Sequence, residues 1–317
     1  MNNTKKPTKL NELEELIRKN PSDSKLRACY AETLLNEDFL NESFEQYSIL
    51  FRIDPNNPDF CFNLGIMNEK QNKIDNAINY YQKAVNLCPD DPDFRYSLAF
   101  MLDKKGEIDR AIEEYKKTLG LDRDDSNAHF NVGCLYVKKE KLELAKKHFE
   151  AAIKINPDDV YARFNLAFEY KKAGEIQKAL QQYNKITEIS PDYSWAYYNI
   201  GCILLEHGDP DKAENFFKKT VEVNPKDLEA FKVLSDLAIA KNNHEKALNY
   251  LETALIQSPE SGDIHYYLAK IYKKINAPED ALFHLTKAIQ NKETLTIAGE
   301  IAENELKELK KQVSDQK

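Results

Sequence analysis

Glycine is scarce in this sequence, with 9 residues among 317, or about 3% against the usual ~7%. This scarcity excludes a collagen, a glycine-rich linker and a fold built on many tight turns. No apolar run approaches the roughly 18 residues that would span a bilayer. The N-terminal segment MNNTKKPTKL has lysines but no apolar core behind them. The sequence therefore predicts no membrane association and no secretory signal.

An excess of positive charge and a disulfide framework are also lacking. Lysine and arginine number 45 against 53 acidic residues, a net charge of −8, which disfavours nucleic-acid binding. The cysteines are odd in number, at 5, and no two have Cys-x-x-Cys spacing. We therefore expect free, buried or half-buried thiols, a cytoplasmic location, and neither a metal site nor another cofactor.

Catalytic motifs are missing as well. The chain contains no Gly-x-x-x-x-Gly-Lys phosphate loop, no Gly-x-Gly-x-x-Gly, no His-Glu-x-x-His and no Gly-x-Ser-x-Gly. Pairs of aspartates such as Asp90-Asp91 and Asp124-Asp125 recur at one phase of the sequence, where they are typical of helix N-caps. The sequence predicts a protein that is not an enzyme.

What is present is a repeat of 34 residues. One set of prolines follows this period at Pro21, Pro55, Pro89, Pro157, Pro191, Pro225 and Pro259. An alanine follows it at Ala77, Ala111, Ala145, Ala179, Ala213, Ala247 and Ala281. Four residues after each alanine comes a large side chain: Tyr81, Tyr115, Phe149, Tyr183, Phe217, Leu251 and Leu285. Periods of this length indicate stacked repeats that bury a continuous core.

Each unit reads as two amphipathic helices. In residues 160–193, apolar residues recur at helical spacing up to Tyr170, Gly174 interrupts the pattern, and a second helical stripe begins at Ile176. Pro191 ends the unit. Prolines at Pro210 and Pro278 fit the first turn of a second helix, where a missing N–H costs nothing. The pattern predicts an all-α protein of helical hairpins.

The combination of a small residue on the first helix, the alanine, the aromatic and the terminal proline resembles the tetratricopeptide repeat family. The resemblance covers eight units: 24–57, 58–91, 92–125, 126–159, 160–193, 194–227, 228–261 and 262–295. It implies a right-handed α-α superhelix (solenoid) whose first helices line a concave groove. Departures from the family pattern are mild, such as Ser43 for the alanine of the first unit.

The segments outside the repeats are interpreted as ends of the array. Residues 8–23 form an N-terminal capping helix with Leu10, Leu13, Leu16 and Ile17 inward. Residues 296–317 form a C-terminal capping helix with Ala298, Ala302, Leu306, Leu309 and Val313 inward. Residues 1–7 and the last few residues are expected to be disordered.

Candidate binding residues follow from the face that the first helices would turn to the groove. Places are counted here from the first residue of each unit. Place 5 carries an aromatic row, namely Phe62, Tyr96, Phe130, Phe164 and Tyr198. Place 6 carries an asparagine row, namely Asn63, Asn131, Asn165 and Asn199. Place 13 carries lysines, namely Lys104, Lys138 and Lys172.

Each row has a functional and a structural interpretation. Aromatic side chains offer an apolar platform to a peptide, but the same rings can pack against the neighbouring unit. Asparagine can contact both N–H and C=O groups of an extended peptide, and the row resembles that of the O-linked N-acetylglucosamine transferase repeat region, but it can equally be solvated. Lysine can attract an acidic partner or complement a helix dipole.

The sequence favours a non-enzymatic scaffold that binds a peptide segment of a partner protein in the concave groove. One alternative is the substrate-recognition subunit of a split protein-modifying enzyme such as a glycosyltransferase. Another is a self-assembling homo-oligomer, and RNA binding is the weakest option because of the negative charge. No unit has arginine at place 6, so the clamp by which some family members grip chaperone C-termini is not predicted.

Overall fold

The computed structural model describes residues 7–297 and 299–315, and within these ranges the chain forms helices and no strand. It divides into two compact units, the first ending at Ala162 and the second beginning at Arg163. The disorder predicted for residues 1–7 and for the last residues falls mostly outside the described ranges. None of the described helices has the length and apolar character needed to span a membrane.

The helices alternate as first and second members of hairpins, with one helix added at each end. The N-terminal helix is α1 (Thr8–Lys19). The first helices are α2 (Ser24–Asn36), α4 (Pro58–Lys70), α6 (Pro92–Lys105), α8 (Ser126–Lys138), α10 (Val160–Lys172), α12 (Ser194–Glu206), α14 (Leu228–Ala240) and α16 (Gly262–Lys274). The second helices are α3 (Leu40–Ile53), α5 (Ile74–Leu87), α7 (Ile108–Leu121), α9 (Leu142–Ile155), α11 (Ile176–Ile189), α13 (Pro210–Val223), α15 (His244–Gln257) and α17 (Pro278–Gln290). A 3₁₀-helix (Lys292–Thr294) and α18 (Gly299–Asp315) follow.

The helix boundaries have local causes. Asp91 and Asp125 act as N-caps, as predicted, because their carboxylates accept from the backbone N–H groups of Phe94 (3.0 Å) and Ala128 (2.9 Å). The turn inside every hairpin has a left-handed residue at place 15. These residues are Asp38, Asn72, Gly106, Glu140, Gly174, Gly208, Asn242 and Asn276. Only three of the eight are glycine, which explains why the sequence pattern indicated this turn only in part.

The core of the first six hairpins is a contact between a small residue of the first helix and a buried ring of the second helix, and in the last two hairpins the ring is replaced by Leu251 or Leu285. Tyr81, Tyr115, Phe149, Tyr183 and Phe217 have at most 1% of their surface exposed. A Cβ atom added at Gly133 would lie 2.6 Å from Cε1 of Phe149, and one added at Gly65 would lie 2.5 Å from Cε1 of Tyr81. The glycines therefore let each ring lie directly on the backbone of the first helix.

The N-terminal helix covers the first hairpin of the first unit. Leu10 is fully buried against Tyr30 and Leu34, and Leu13 and Ile17 pack beside them. Leu16 was expected to point inward as well, and this prediction is wrong, because its side chain is 44% exposed. At about 100° per residue, Leu13 and Ile17 lie within about 60° of Leu10 around the helix, whereas Leu16 lies about 120° from Leu10.

The C-terminal helix α18 covers the last hairpin of the second unit. Ala302 and Leu309 are buried, and they pack with Ala281 and Leu285 of α17. Glu305 of α18 accepts hydrogen bonds from Tyr266 Oη (2.8 Å) and Lys273 Nζ (2.9 Å) of α16. The helix begins at Gly299, after the 3₁₀-turn, rather than at residue 296, and the predicted inward residue Ala298 lies outside the described residues.

The five cysteines are free thiols, as expected. Cys61 is buried, and three others are partly buried, but Cys29 on α2 is exposed. The expectation that all five would be buried or half-buried therefore fails at Cys29.

Polar couples join places 4 and 23 within several hairpins. In two of them an arginine donates to a glutamine, as in Arg27 to Gln46 (2.6 Å) and Arg163 to Gln182 (2.7 Å). In two others both positions are histidine, and the Nδ1 atoms lie 3.1 Å apart in His129–His148 and 2.9 Å apart in His265–His284. Two rings at this distance can share one proton, but two protonated rings would repel.

One histidine of each pair, His148 or His284, is neutral at physiological pH because its pKa is lowered. Burial, followed by the charge of His129, lowers the pKa of His148 to about 4. Burial and then His265 lower the pKa of His284 to about 4. In the second pair, His265 Nε2 lies 3.1 Å from the carbonyl oxygen of Pro259, which can only accept, so Nε2 carries the proton. His265 Nδ1 is then the acceptor of the His284 Nδ1–H group.

Gly133→Ala should destabilise the protein by about 1–3 kcal/mol, because its Cβ would overlap the buried Phe149 ring. Gly120→Ala is a matched control, since Gly120 lies in α7 with open space around the added atom. That control should stabilise by up to about 1 kcal/mol through helix propensity. Urea unfolding measures both, and equal effects of the two changes would contradict the proposed contact.

The histidine pairs should lower the stability of the folded protein as the pH falls. His148 and His284 bind protons near pH 6.5 in the unfolded chain and only near pH 4 in the folded protein. Stability is therefore fully present above about pH 6.5 and is lost between about 6.5 and 4, by about 1–2 kcal/mol per pair after allowance for solvent screening. The variant H129R/H148Q/H265R/H284Q introduces the couple found in other hairpins. It should lose less stability over this range in thermal unfolding, and an unchanged pH dependence would count against the pairs.

Candidate functional site

The aromatic row lies half-buried, and each ring packs on the buried ring of its own hairpin. The centroid distances are 5.4 Å for Phe62–Tyr81, 5.3 Å for Tyr96–Tyr115, 5.9 Å for Phe130–Phe149, 5.7 Å for Phe164–Tyr183 and 5.5 Å for Tyr198–Phe217. Such pairs contribute about 0.5–1.5 kcal/mol each beyond burial. The rings at place 5 therefore pack on the hairpin on one side and remain at the surface on the other. We call the surface on which these first-helix residues lie the first-helix face.

In the first unit, Asn131 connects two consecutive hairpins. Its Nδ2 atom donates to Tyr96 Oη (2.8 Å) and to Tyr115 Oη (3.1 Å). Burial, reinforced by the nearby Tyr96 and Asp103, raises the pKa of Tyr115, so the phenol remains neutral and can accept. Asn63 lacks such partners and donates to the carbonyl oxygen of Asp59, one turn earlier, at 2.8 Å.

In the second unit, Asn199 is arranged like Asn63. Its Nδ2 donates to the carbonyl oxygen of Trp195 at 2.8 Å, and no further hydrogen-bond partner of its side chain occurs among the described residues. Asn165 is half-buried on α10. The four members of the asparagine row therefore share a place in the repeat but not one environment.

The lysines at place 13 are largely neutralised by carboxylates of neighbouring hairpins. Lys138 Nζ lies 2.6 Å from Asp103 and Lys104 Nζ lies 3.9 Å from Glu69. Lys171 is paired with Glu206 at 2.8 Å. Lys172 is exposed, and no ion pair to it occurs in the described part of the chain. The lysines therefore form no continuous positive surface.

Sequence reasoning missed the two most exposed aromatic residues of the first helices, Tyr161 and Trp195, which both lie at place 2 and are 66% and 56% exposed. Phe168 at place 9, which the sequence does place on the groove side, is 49% exposed. Place 2 shares its side of the helix with places 5 and 9. The available signal was that this place holds charged or polar residues in the other units and aromatic ones in these two.

We call Phe164 and Phe168 on α10, together with Trp195 and Tyr198 on α12, the aromatic patch of the second unit. Trp195 and Tyr198 lie with ring centroids 6.2 Å apart and at 72°. Exposed aromatic rings of this kind are enriched at protein interfaces. Among the described residues the structure gathers no group of three side chains suited to a metal ion.

Asn131→Ala should cost about 1–2 kcal/mol of stability, because it leaves the buried Tyr115 hydroxyl without its donor. Asn199→Ala is the matched control, since it removes only a bond to the preceding turn of its own helix. It should change stability by less than about 0.5 kcal/mol, and both variants gain the same helix propensity. Urea unfolding tests the difference, and equal values would refute the bridging role of Asn131.

Models of one family match most of the chain. The model described as "TPR repeat" matches residues 70–104 and 169–208. Models described as "Tetratricopeptide repeat" match residues 126–159 and 194–227, 238–293, 148–181, and 92–125. Together they cover residues 70–227 and 238–293. No curated protein sequence matches the chain.

Solved structures of the same fold are numerous. The C-terminal part of a TPR repeat-containing protein from Cytophaga hutchinsonii aligns with a TM-score of 0.67 at 20% identity, over 76% of this chain and 99% of that one. MamA aligns with a TM-score of 0.50 at 27% identity, over 52% and 97%. YrrB, described as a TPR protein with an unusual peptide-binding site, aligns with a TM-score of 0.52 at 22% identity, over 58% and 95%. The chain belongs to the tetratricopeptide repeat family, whose members are protein-interaction scaffolds.

Proposed function

We propose that this protein is a non-enzymatic scaffold that holds a peptide segment of a partner protein against its first-helix face. The observation that supports this most strongly is the exposure of Phe168 and Trp195, at 49% and 56%. Large rings that remain in contact with water on a face of an otherwise well-packed hairpin array cost solvation free energy. A partner that covers them recovers that free energy.

The aromatic patch supplies the apolar part of this surface. Phe164 packs on Tyr193 at 5.7 Å between centroids, which fixes the edge of the patch. Trp195 and Tyr198 are rigid side chains with few rotamers, so ordering them on binding costs little entropy. A segment with two or more apolar side chains could therefore bury them on α10 and α12 at once.

The asparagines offer polar contacts within each unit, with Asn63 and Asn131 in the first unit and Asn199 in the second. The Oδ1 atoms of Asn63 and Asn199 have no hydrogen-bond partner among the described residues, and each side chain retains a second N–H. An asparagine in this state can accept from and donate to an extended backbone. Asn131 would contribute only its Oδ1 atom, since both of its N–H groups are used by tyrosines. These asparagines would therefore recognise the backbone of the bound peptide rather than its side chains.

The test begins with selection of 12-residue peptides from a random displayed library on the intact protein. A selected peptide with a fluorescent label is then titrated, and its anisotropy gives Kd. Trp195→Ala and Phe168→Ala should each weaken binding about tenfold, a value typical of a central aromatic contact. Asn199→Ala should weaken it about threefold, as expected for one net hydrogen bond.

The chain offers a matched control. Phe283 on α17 is also 56% exposed, but it lies on a second helix. Phe283→Ala should leave Kd unchanged. Trp195 is the single tryptophan, so its emission should shift to the blue when the unlabelled peptide binds. Peptides whose affinity depends on Phe283 and not on Trp195 or Phe168 would overturn the proposal.

A further inference from the structure

The first unit contains an open cavity where the aromatic row is interrupted. It has a volume of about 480 Å³ and lies between α2 and α4, where place 5 is Ala28. The rings of Tyr47 and Phe60 form its apolar wall, and their centroids are 6.4 Å apart. We call this cavity the Ala28 socket.

The next hairpin shows what fits such a socket. Its place-5 residue is Phe62, whose ring lies 5.4 Å from Tyr81 and 4.7 Å from Phe94. Tyr81 and Phe94 are the residues 34 positions after Tyr47 and Phe60. The Ala28 socket is therefore the same aromatic site with its central ring removed. The rings of Tyr47 and Phe60 are present, and the third ring, the equivalent of Phe62, is absent.

The charged residues around the socket favour one sign of ligand charge. Glu32 and Asp59 line it together with Lys25, and all three are exposed and without an ion-pair partner among the described residues. Burial, and after it the charges of Glu32 and Asp59, raises the pKa of the Tyr47 hydroxyl, which places both carboxylates near the wall. Two carboxylates against one ammonium leave an excess of negative charge.

A second interruption of the row gives a contrast. In the second unit place 5 is Lys232, and a cavity of about 380 Å³ lies beside it. There the lysine Nζ is held by Glu229 at 2.5 Å and by Asp263 at 3.5 Å. That cavity has an ion pair in place of aromatic walls, so the two openings differ in chemistry and only the Ala28 socket matches a ring.

We propose that the Ala28 socket receives an aromatic side chain of a peptide segment bound to the first unit, next to a basic residue of that segment. The inserted ring takes the position that Phe62 occupies in the following hairpin. This inference rests on the proposed function, because it gives a segment held on the first-helix face of the first unit a side-chain preference. It adds a side-chain preference that the asparagines alone do not provide.

Cys29 allows a direct test, because it lines the socket and its thiol is exposed. The intact protein is equilibrated, at increasing concentrations of 2-mercaptoethanol, with the disulfides of acetyl-arginyl-phenylalanyl-cysteamine, acetyl-arginyl-leucyl-cysteamine and acetyl-glutamyl-phenylalanyl-cysteamine. Cys29 exchanges into a mixed disulfide and releases one thiol fragment. Mass spectrometry of the peptide that contains Cys29 gives the concentration of 2-mercaptoethanol at half labelling.

Half labelling by the phenylalanyl probe should occur at an about fivefold higher concentration of 2-mercaptoethanol than half labelling by the leucyl probe, as expected for two ring contacts. The arginyl probe should exceed the glutamyl probe about twofold at low salt. Ala28→Phe fills the socket with the residue type of the next hairpin, so both ratios should fall to about 1. Circular dichroism checks that the variant is folded, and the rate of alkylation by iodoacetamide checks that its thiol is accessible.

A second variant keeps the test independent of Ala28→Phe. Phe62→Ala with Asn63→Cys opens the equivalent socket in the next hairpin and places a thiol beside it, and the phenylalanyl preference should appear at the introduced thiol. Equal labelling by phenylalanyl and leucyl probes in the unaltered protein, or a preference that survives Ala28→Phe, would overturn the socket. Peptide binding that still depends on Trp195 would in that case leave the proposed function intact.

Discussion

The contact between a small first-helix residue and the buried ring of the second helix sets the geometry of the first six hairpins. Where glycine is present, as at Gly65 and Gly133, the ring of Tyr81 or Phe149 lies on the helix backbone itself. The ring at place 5 then packs on this buried ring from the other side. The surface proposed for binding is therefore the outer layer of the same stack that stabilises the hairpin. A change at that surface acts on stability as well as on binding.

Much of the fold could be predicted because the repeat supplies many equivalent observations. The three 34-residue rows predict the helices, and the aspartates at the end of several units predict where first helices begin. The turn residues with positive φ were harder to predict from the sequence, because Glu140 and Asp38 adopt the same left-handed conformation as Gly174. Leu16 was misassigned because leucine is common on exposed positions of short end helices and a single helix has no period to average over.

The site was less predictable, because its properties depend on contacts between hairpins. Asn131 and Asn199 share a place in the repeat, but Asn131 donates to the hydroxyls of Tyr96 and Tyr115, whereas Asn199 donates to a carbonyl oxygen of its own helix. The pairing of Lys138 with Asp103 is likewise set by the preceding hairpin. Residues that share a place in the repeat therefore differ in their hydrogen-bond partners. The exposed Trp195 lies at place 2, which forms no uniform row in the sequence.

The helix α18 has a consequence for association between molecules. Its Glu305 accepts from Tyr266 and Lys273, and its buried Ala302 and Leu309 cover the last hairpin. It thereby occupies the surface on which another hairpin would stack. A further hairpin could pack on this surface only after α18 had been detached, so α18 competes with any helix that would bind there.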